Sequence, residues 1–134
     1  GIALDSQPLD SHHEDMNLWI QILILLISLQ HFGFMILEMF FWTRPAGRQI
    51  FKMDLKFAQQ SKVLAANQGL YNGFLAMGLL WSLLATLMDR DRVQAFFLIC
   101  IVVAGVFGGY TVNKRIFLIQ AVPALIALLL LFCF

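Results

Sequence analysis

The chain has 134 residues, 60% of them hydrophobic and only 13% charged, with thirteen phenylalanines and a net charge of +1. Soluble domains run at roughly 45–50% apolar and about 25% charged, so the surplus apolar residues have no water-facing place to go. A nucleic-acid partner would need clustered Lys and Arg, and Cys100 and Cys133 lie in apolar runs without zinc-type or disulfide-framework spacing, so nucleic-acid binding and a metal centre are both set aside.

In chain order, residues 1–15 are polar, lack Lys and Arg and precede Met16. They read as a tag-like or disordered tail ahead of a single domain over residues 16–134. Crossing the hydrocarbon takes about 20 mostly apolar residues, and four stretches have that length: about 18–42, 64–88, 93–112 and 115–134. The expected fold is all-α, an integral membrane four-helix bundle with an amphipathic cytoplasmic segment between helices 1 and 2. In that segment Arg48, Lys52 and Lys56 recur every four positions beside Phe51 and Leu55, a helical period. Such a helix either lies in the headgroup layer or extends the second span into the cytoplasm.

Cytoplasmic loops near span ends are enriched in Lys and Arg. Arg44, Arg48, Lys52, Lys56 and Lys62 lie in the first connection and Lys114 and Arg115 in the third, against Arg90 and Arg92 in the second. The first and third connections are therefore expected in the cytoplasm and both termini outside. Trp19 and Trp81 then fall toward the outer interface and Trp42 at the inner one, where indoles are favoured.

Polar side chains at membrane depth are costly and usually face a bundle interior or a cavity. Gln21, Ser28, Gln30, His31 and Glu38 lie in the first span, Asn67, Gln68, Tyr71 and Asn72 in the second, Tyr110 and Thr111 in the third, and Gln120 in the fourth. Most map to the cytoplasmic half, leaving the outer half almost wholly apolar. His31 and Glu38, seven residues apart, share a helix face but are separated by roughly 10 Å of rise. A ligand, a water or an amide from another span is expected in the gap; alternatively the two side chains only hold the helices in register. Gly69 with Gly73, and Gly105 with Gly109, form GxxxG pairs that permit close helix contact within the chain or between protomers.

The strings HFGFMILEMFFW from His31 to Trp42, NQGLYNGFLAMGLLW from Asn67 to Trp81 and AGVFGGYTVNKR from Ala104 to Arg115, with Gln120 and Pro123, carry a resemblance. Everything after Met16 resembles an uncharacterised microbial family of four-helix membrane proteins, domain of unknown function 1304. The resemblance implies that His31, Glu38, Asn67, Gln68, Gly69, Tyr71, Asn72, Gly73, Gly105, Thr111 and Gln120 belong to the family pattern. It implies no activity. The chain is more loosely similar to membrane-associated enzymes of eicosanoid and glutathione metabolism at Lys62 and the Asn67–Asn72 segment, without their fuller Arg, Asn and Glu signature.

The favoured function is a site for a lipid or amphiphilic small molecule, with His31, Glu38, Asn67, Gln68, Tyr71, Asn72, Thr111 and Gln120 as its ligand-binding residues. The alternatives are a membrane enzyme using His31 or Glu38 as acid or base, a small transporter, and a structural subunit. Catalytic residues and cofactors stay open; a bacterial inner membrane is the expected location and a homo-oligomer the expected assembly.

Overall fold

A computed structural model describes residues 7–84 and 89–134, and every described element is helical. Helix α1 spans Gln7–Phe40, α2 Pro45–Phe51, α3 Leu55–Leu84 and α4 Arg90–Thr111. The last, α5, runs Lys114–Cys133 and contains a π-helical turn, Phe117–Ala121. Among the described residues, three helices are long and apolar enough to cross a membrane: α1 over Asp10–Phe40, α4 and α5.

The boundaries depart from the sequence reading in two places. Residues 7–15, expected to be tag-like or disordered, continue α1 as helix, with Asp10 in the first turn where a carboxylate complements the helix dipole. The helical period of Arg48, Lys52 and Lys56 is interrupted, because Lys52 caps α2 in the left-handed conformation (φ 53°, ψ 54°) and Asp54 starts a new helix. The Asp54 carboxylate accepts from the Phe57 amide at 2.7 Å, a capping bond worth ~1 kcal/mol. Lys56 and Lys62 therefore belong to α3, which begins nine residues before the expected second span; that span's last four residues, 85–88, lie outside the described residues.

Helix α3 has 30 described residues, with Asn67, Gln68 and Asn72 in its middle among glycines. Its buried stripe, Ala58, Ala65, Gly69, Asn72, Gly73, Ala76 and Leu79, is small at nearly every step, which lets α1 approach closely. A Cβ on Gly69 would lie 2.8 Å from Met39 Cγ, and one on Gly73 2.7 Å from Met35 Sδ. On α4, a Cβ on Gly105 would lie 2.7 Å from Ala121 Cβ, and one on Gly109 2.6 Å from Phe117 Cβ. Both GxxxG pairs are thus used inside the chain, as helix contacts without side chains in the way.

Helix α1 packs on α3 and α5, and α4 packs on α3 and α5, so each long helix has two neighbours. The apolar core lies toward one end, where Ile20, Ile24 and Ile27 of α1 meet Leu79 of α3, Leu98 and Ile101 of α4, and Ala124 and Ala127 of α5. Outward faces are apolar too, including Leu26, Phe107 and Phe132, while Ser28, His31, Glu38, Asn72, Ser82 and Gln94 are buried. Polar inside with apolar outside inverts the soluble pattern and suits a lipid surround, where polar groups must find partners within the protein.

Two local devices shape the basic end. Helix α2 folds back so tightly that a Cβ on Gly47 would run into the Phe41 carbonyl. Trp42 then stacks at 4.8 Å on Phe51 and donates its indole N–H to Ser61 Oγ at 3.0 Å, tying α2 to the start of α3. In α5, Pro123 has no N–H to offer the Ile119 carbonyl four residues back. Gln30 of α1 supplies that bond from Nε2 at 3.0 Å, and the π-turn widens the helix at the same place, with the Val122 amide reaching the Phe117 carbonyl.

Candidate functional site

The two ionisable residues on the face of α1 each receive an amide from a different helix. His31 is fully buried. Its Nδ1 lies 2.9 Å from the Ile27 carbonyl, an acceptor only, so Nδ1 carries the proton and Nε2 is left to accept. Gln120 fills that vacancy, its Nε2 lying 3.1 Å from His31 Nε2. Phe34 packs edge-on to the imidazole, ring centroids 5.4 Å apart. Both ring nitrogens are engaged, and their partners fix the ring.

Seven residues further along α1, Glu38 is 4% exposed and its Oε1 accepts from Asn72 Nδ2 of α3 at 2.7 Å. The cavity beside this pair is bordered by Glu38 and not by His31, so it lies toward the basic end from the gap expected between the two ionisable groups. It has a volume of about 270 Å³ and opens beside Glu38, Asn72 and Gln120, under Phe34 and Ile119, and its border is completed by Ile50, Phe51 and Lys52 from α2 and Val112, Asn113, Arg115 and Ile116 from the α4–α5 turn. Asn113 holds this turn by accepting from the Arg115 amide at 2.9 Å.

Three expected site residues, Glu38, Asn72 and Gln120, border this cavity, and His31 stands behind it as the partner of Gln120. The others lie elsewhere. Tyr71 is 63% exposed and rests on Phe74, ring centroids 5.9 Å apart. Asn67 donates to the Val63 carbonyl one turn back at 2.9 Å, and Gln68 is exposed. Thr111 is exposed and donates to the Phe107 carbonyl at 2.7 Å. Helical rotation is the reason: one residue turns the side chain by about 100°, so with Asn72 inward Tyr71 and Asn67 face outward. Asn67 joins Trp42, Thr43 and Lys62 on a separate groove of about 300 Å³ on the other side of Glu38.

Lys52 entered the sequence reading as part of the basic amphipathic segment and Arg115 as a topology signal, and both border the cavity. Among the described residues neither has an acidic partner within salt-bridge distance. Lys52 is also the one non-glycine residue with positive φ among them. Glycine fits that conformation more cheaply by about 1 kcal/mol. The remaining omission lies at the opposite end. The half expected to be almost wholly apolar is not, because Gln94, fully buried, donates to Gln21 Oε1 at 2.6 Å and to Ser82 Oγ at 3.2 Å. Arg90 closes that end by donating to Asn17 at 3.0 Å. The available signal was the stripe Gln94, Leu98, Ile101 and Gly105, all buried on α4 at helical spacing.

The profile of a protein family of unknown function, DUF1304, matches residues 25–132, which takes in every site residue above. The chain belongs to the DUF1304 family. It is 34% identical over 110 residues to the uncharacterized protein YpaA of Lactococcus lactis subsp. lactis (strain IL1403), covering 81% of this chain and 92% of that relative. No solved structure matches it. The matched region holds both the His31–Gln120 and Glu38–Asn72 pairs and the basic border of the cavity.

Proposed function

We propose that the protein is an integral membrane protein whose four long helices cross the bilayer as one bundle and bind a small amphiphile in the Glu38 cavity at the cytoplasmic end. Support for the fourth crossing comes from α3's outward face, where Leu70, Phe74, Met77, Trp81 and Leu84 are exposed at three- and four-residue spacing. Its mid-helix amides are Asn72 on the inward stripe and Asn67 and Gln68 on the exposed side. The excess of Lys and Arg in the first and third connections orients that end toward the cytoplasm.

The observation that carries the binding reading is the cavity itself. It combines a buried carboxylate and two amides with apolar walls, the mixture expected of small-molecule pockets, at the depth where an amphiphile in the inner leaflet passes from head to tail. The test separates Glu38 from His31. In the Glu38→Gln variant the carboxamide oxygen can still accept from Asn72, so thermal stability in detergent stays near wild type. An amphiphile that co-purifies with the wild-type chain, detected by native mass spectrometry, is lost. The absence of any bound amphiphile from the wild-type protein in a mild detergent, with Glu38→Gln strongly destabilised, overturns the reading in favour of a purely structural pair.

A further inference from the structure

The polar groups around the cavity are ordered along the helix axis, and that order restricts what fits. Lys52, Asn113 and Arg115 lie where α2 ends and α5 begins. Glu38 and Asn72 come next, bound to each other. Phe34, one turn further into α1, and Ile119 and Gln120, one turn further into α5, line the far end. The sequence from the rim inward is cation, carboxylate, apolar wall. An anionic group alone satisfies Lys52 and Arg115 but sets its neighbouring atoms against Glu38, whose carboxylate in its ionised form only accepts hydrogen bonds. A cationic amphiphile suits Glu38 but must pass two cations at the rim.

We infer that the cavity takes a single-chain phosphate amphiphile with a hydrogen-bond donor, a hydroxyl or an ammonium, next to the phosphate on its tail side. The phosphate sits between Lys52 and Arg115, the donor faces Glu38, and the chain runs inward along Phe34 and Ile119. A volume of about 270 Å³ is at the lower end for enclosed ligands, which favours one chain over two. Lys52 adds an independent observation: its left-handed backbone suits glycine better, so the side chain at this helix cap has a use that the cap does not supply. This inference rests on the amphiphile reading and specifies the chemistry of the head.

The test measures binding to the purified full chain in detergent with three probes: palmitoyl lysophosphatidic acid, hexadecyl phosphate, and glycerol phosphate. The first has a phosphate, an adjacent hydroxyl and a chain; the second lacks the hydroxyl; the third lacks the chain. Lysophosphatidic acid is expected to bind about tenfold more tightly than hexadecyl phosphate, as for one charge-assisted hydrogen bond, and glycerol phosphate far more weakly than either. Glu38→Gln should erase most of the difference between the two amphiphiles, while Lys52→Gln and Arg115→Gln, both at exposed positions, weaken both together. Equal binding of the two amphiphiles overturns the donor at Glu38 and leaves the amphiphile reading standing. Glycerol phosphate binding as tightly as lysophosphatidic acid overturns the amphiphile reading itself, since the chain would contribute nothing. Unchanged affinities in both the Lys52 and Arg115 variants overturn the phosphate placement.

Discussion

At the scale of single residues, the buried polar groups divide by what their removal strands. Both nitrogens of His31 are engaged, one by the Ile27 carbonyl and one by Gln120, so His31→Leu leaves the part-buried Gln120 amide unpaired, while the Ile27 carbonyl keeps its helical backbone bond. The expected cost is about 1–3 kcal/mol, read as a lower melting temperature in detergent. Gln120→Leu should cost a similar amount, and the double variant less than the sum; full additivity would show that the pair is not coupled. Lys52 predicts the opposite sign. Lys52→Gly relieves a left-handed backbone and should stabilise the protein slightly, by roughly 0.5–1 kcal/mol, while weakening ligand binding. A stability gain without a binding loss would assign Lys52 no part in the cavity.

At the scale of elements, glycine positions that look alike in sequence differ in what surrounds them. A Cβ on Gly105 meets the backbone and Cβ of Ala121, neither of which can move without shifting α5, so Gly105→Ala should destabilise by about 1–3 kcal/mol. A Cβ on Gly73 meets only the thioether of Met35, a flexible side chain that can swing aside, so Gly73→Ala should be much milder. A Cβ on Gly33 would have nothing within 4 Å, and Gly33→Ala should be neutral or stabilising by up to about 1 kcal/mol. Thermal denaturation of the three variants side by side checks this order; a Gly33 variant as unstable as the Gly105 variant would contradict the packing described.

Helix legibility follows from the same physics. The long helices were readable because an apolar run of bilayer length has few other uses. Their ends were less readable, because ends depend on caps and on packing. The break at Lys52–Asp54 required knowing that the Asp54 carboxylate meets the Phe57 amide and that Trp42 and Phe51 stack. The periodicity of Arg48, Lys52 and Lys56 runs straight through this break, so periodicity alone pointed to one continuous helix.

At the scale of the whole molecule, charge placement sets an orientation that can be checked directly. In a background without Cys100 and Cys133, Lys56→Cys and Arg92→Cys should react with an impermeant thiol reagent from opposite sides of the membrane, Lys56→Cys from the cytoplasm. Labelling of Lys56→Cys from outside would reverse the orientation and move the cavity to the other leaflet.

The amino-acid sequence by itself determined the all-helical, strongly apolar character, the use of glycine at close helix contacts, and the need of His31, Glu38, Asn72 and Gln120 for partners inside the protein. These properties follow from composition and from residue types that lipid penalises wherever they sit. Only the tertiary structure decided the partners. His31 meets a residue 89 positions away and Glu38 one 34 positions away, and the pairing depends on helix rotation and on the π-turn that Pro123 accompanies. A rotation of one residue step, about 100°, separates Asn72 in the site from Tyr71 on the outer surface. The same dependence on packing made Lys52 and Arg115 readable in sequence only as charge, and placed them at a cavity rim only when α2 folded back beside the α4–α5 turn.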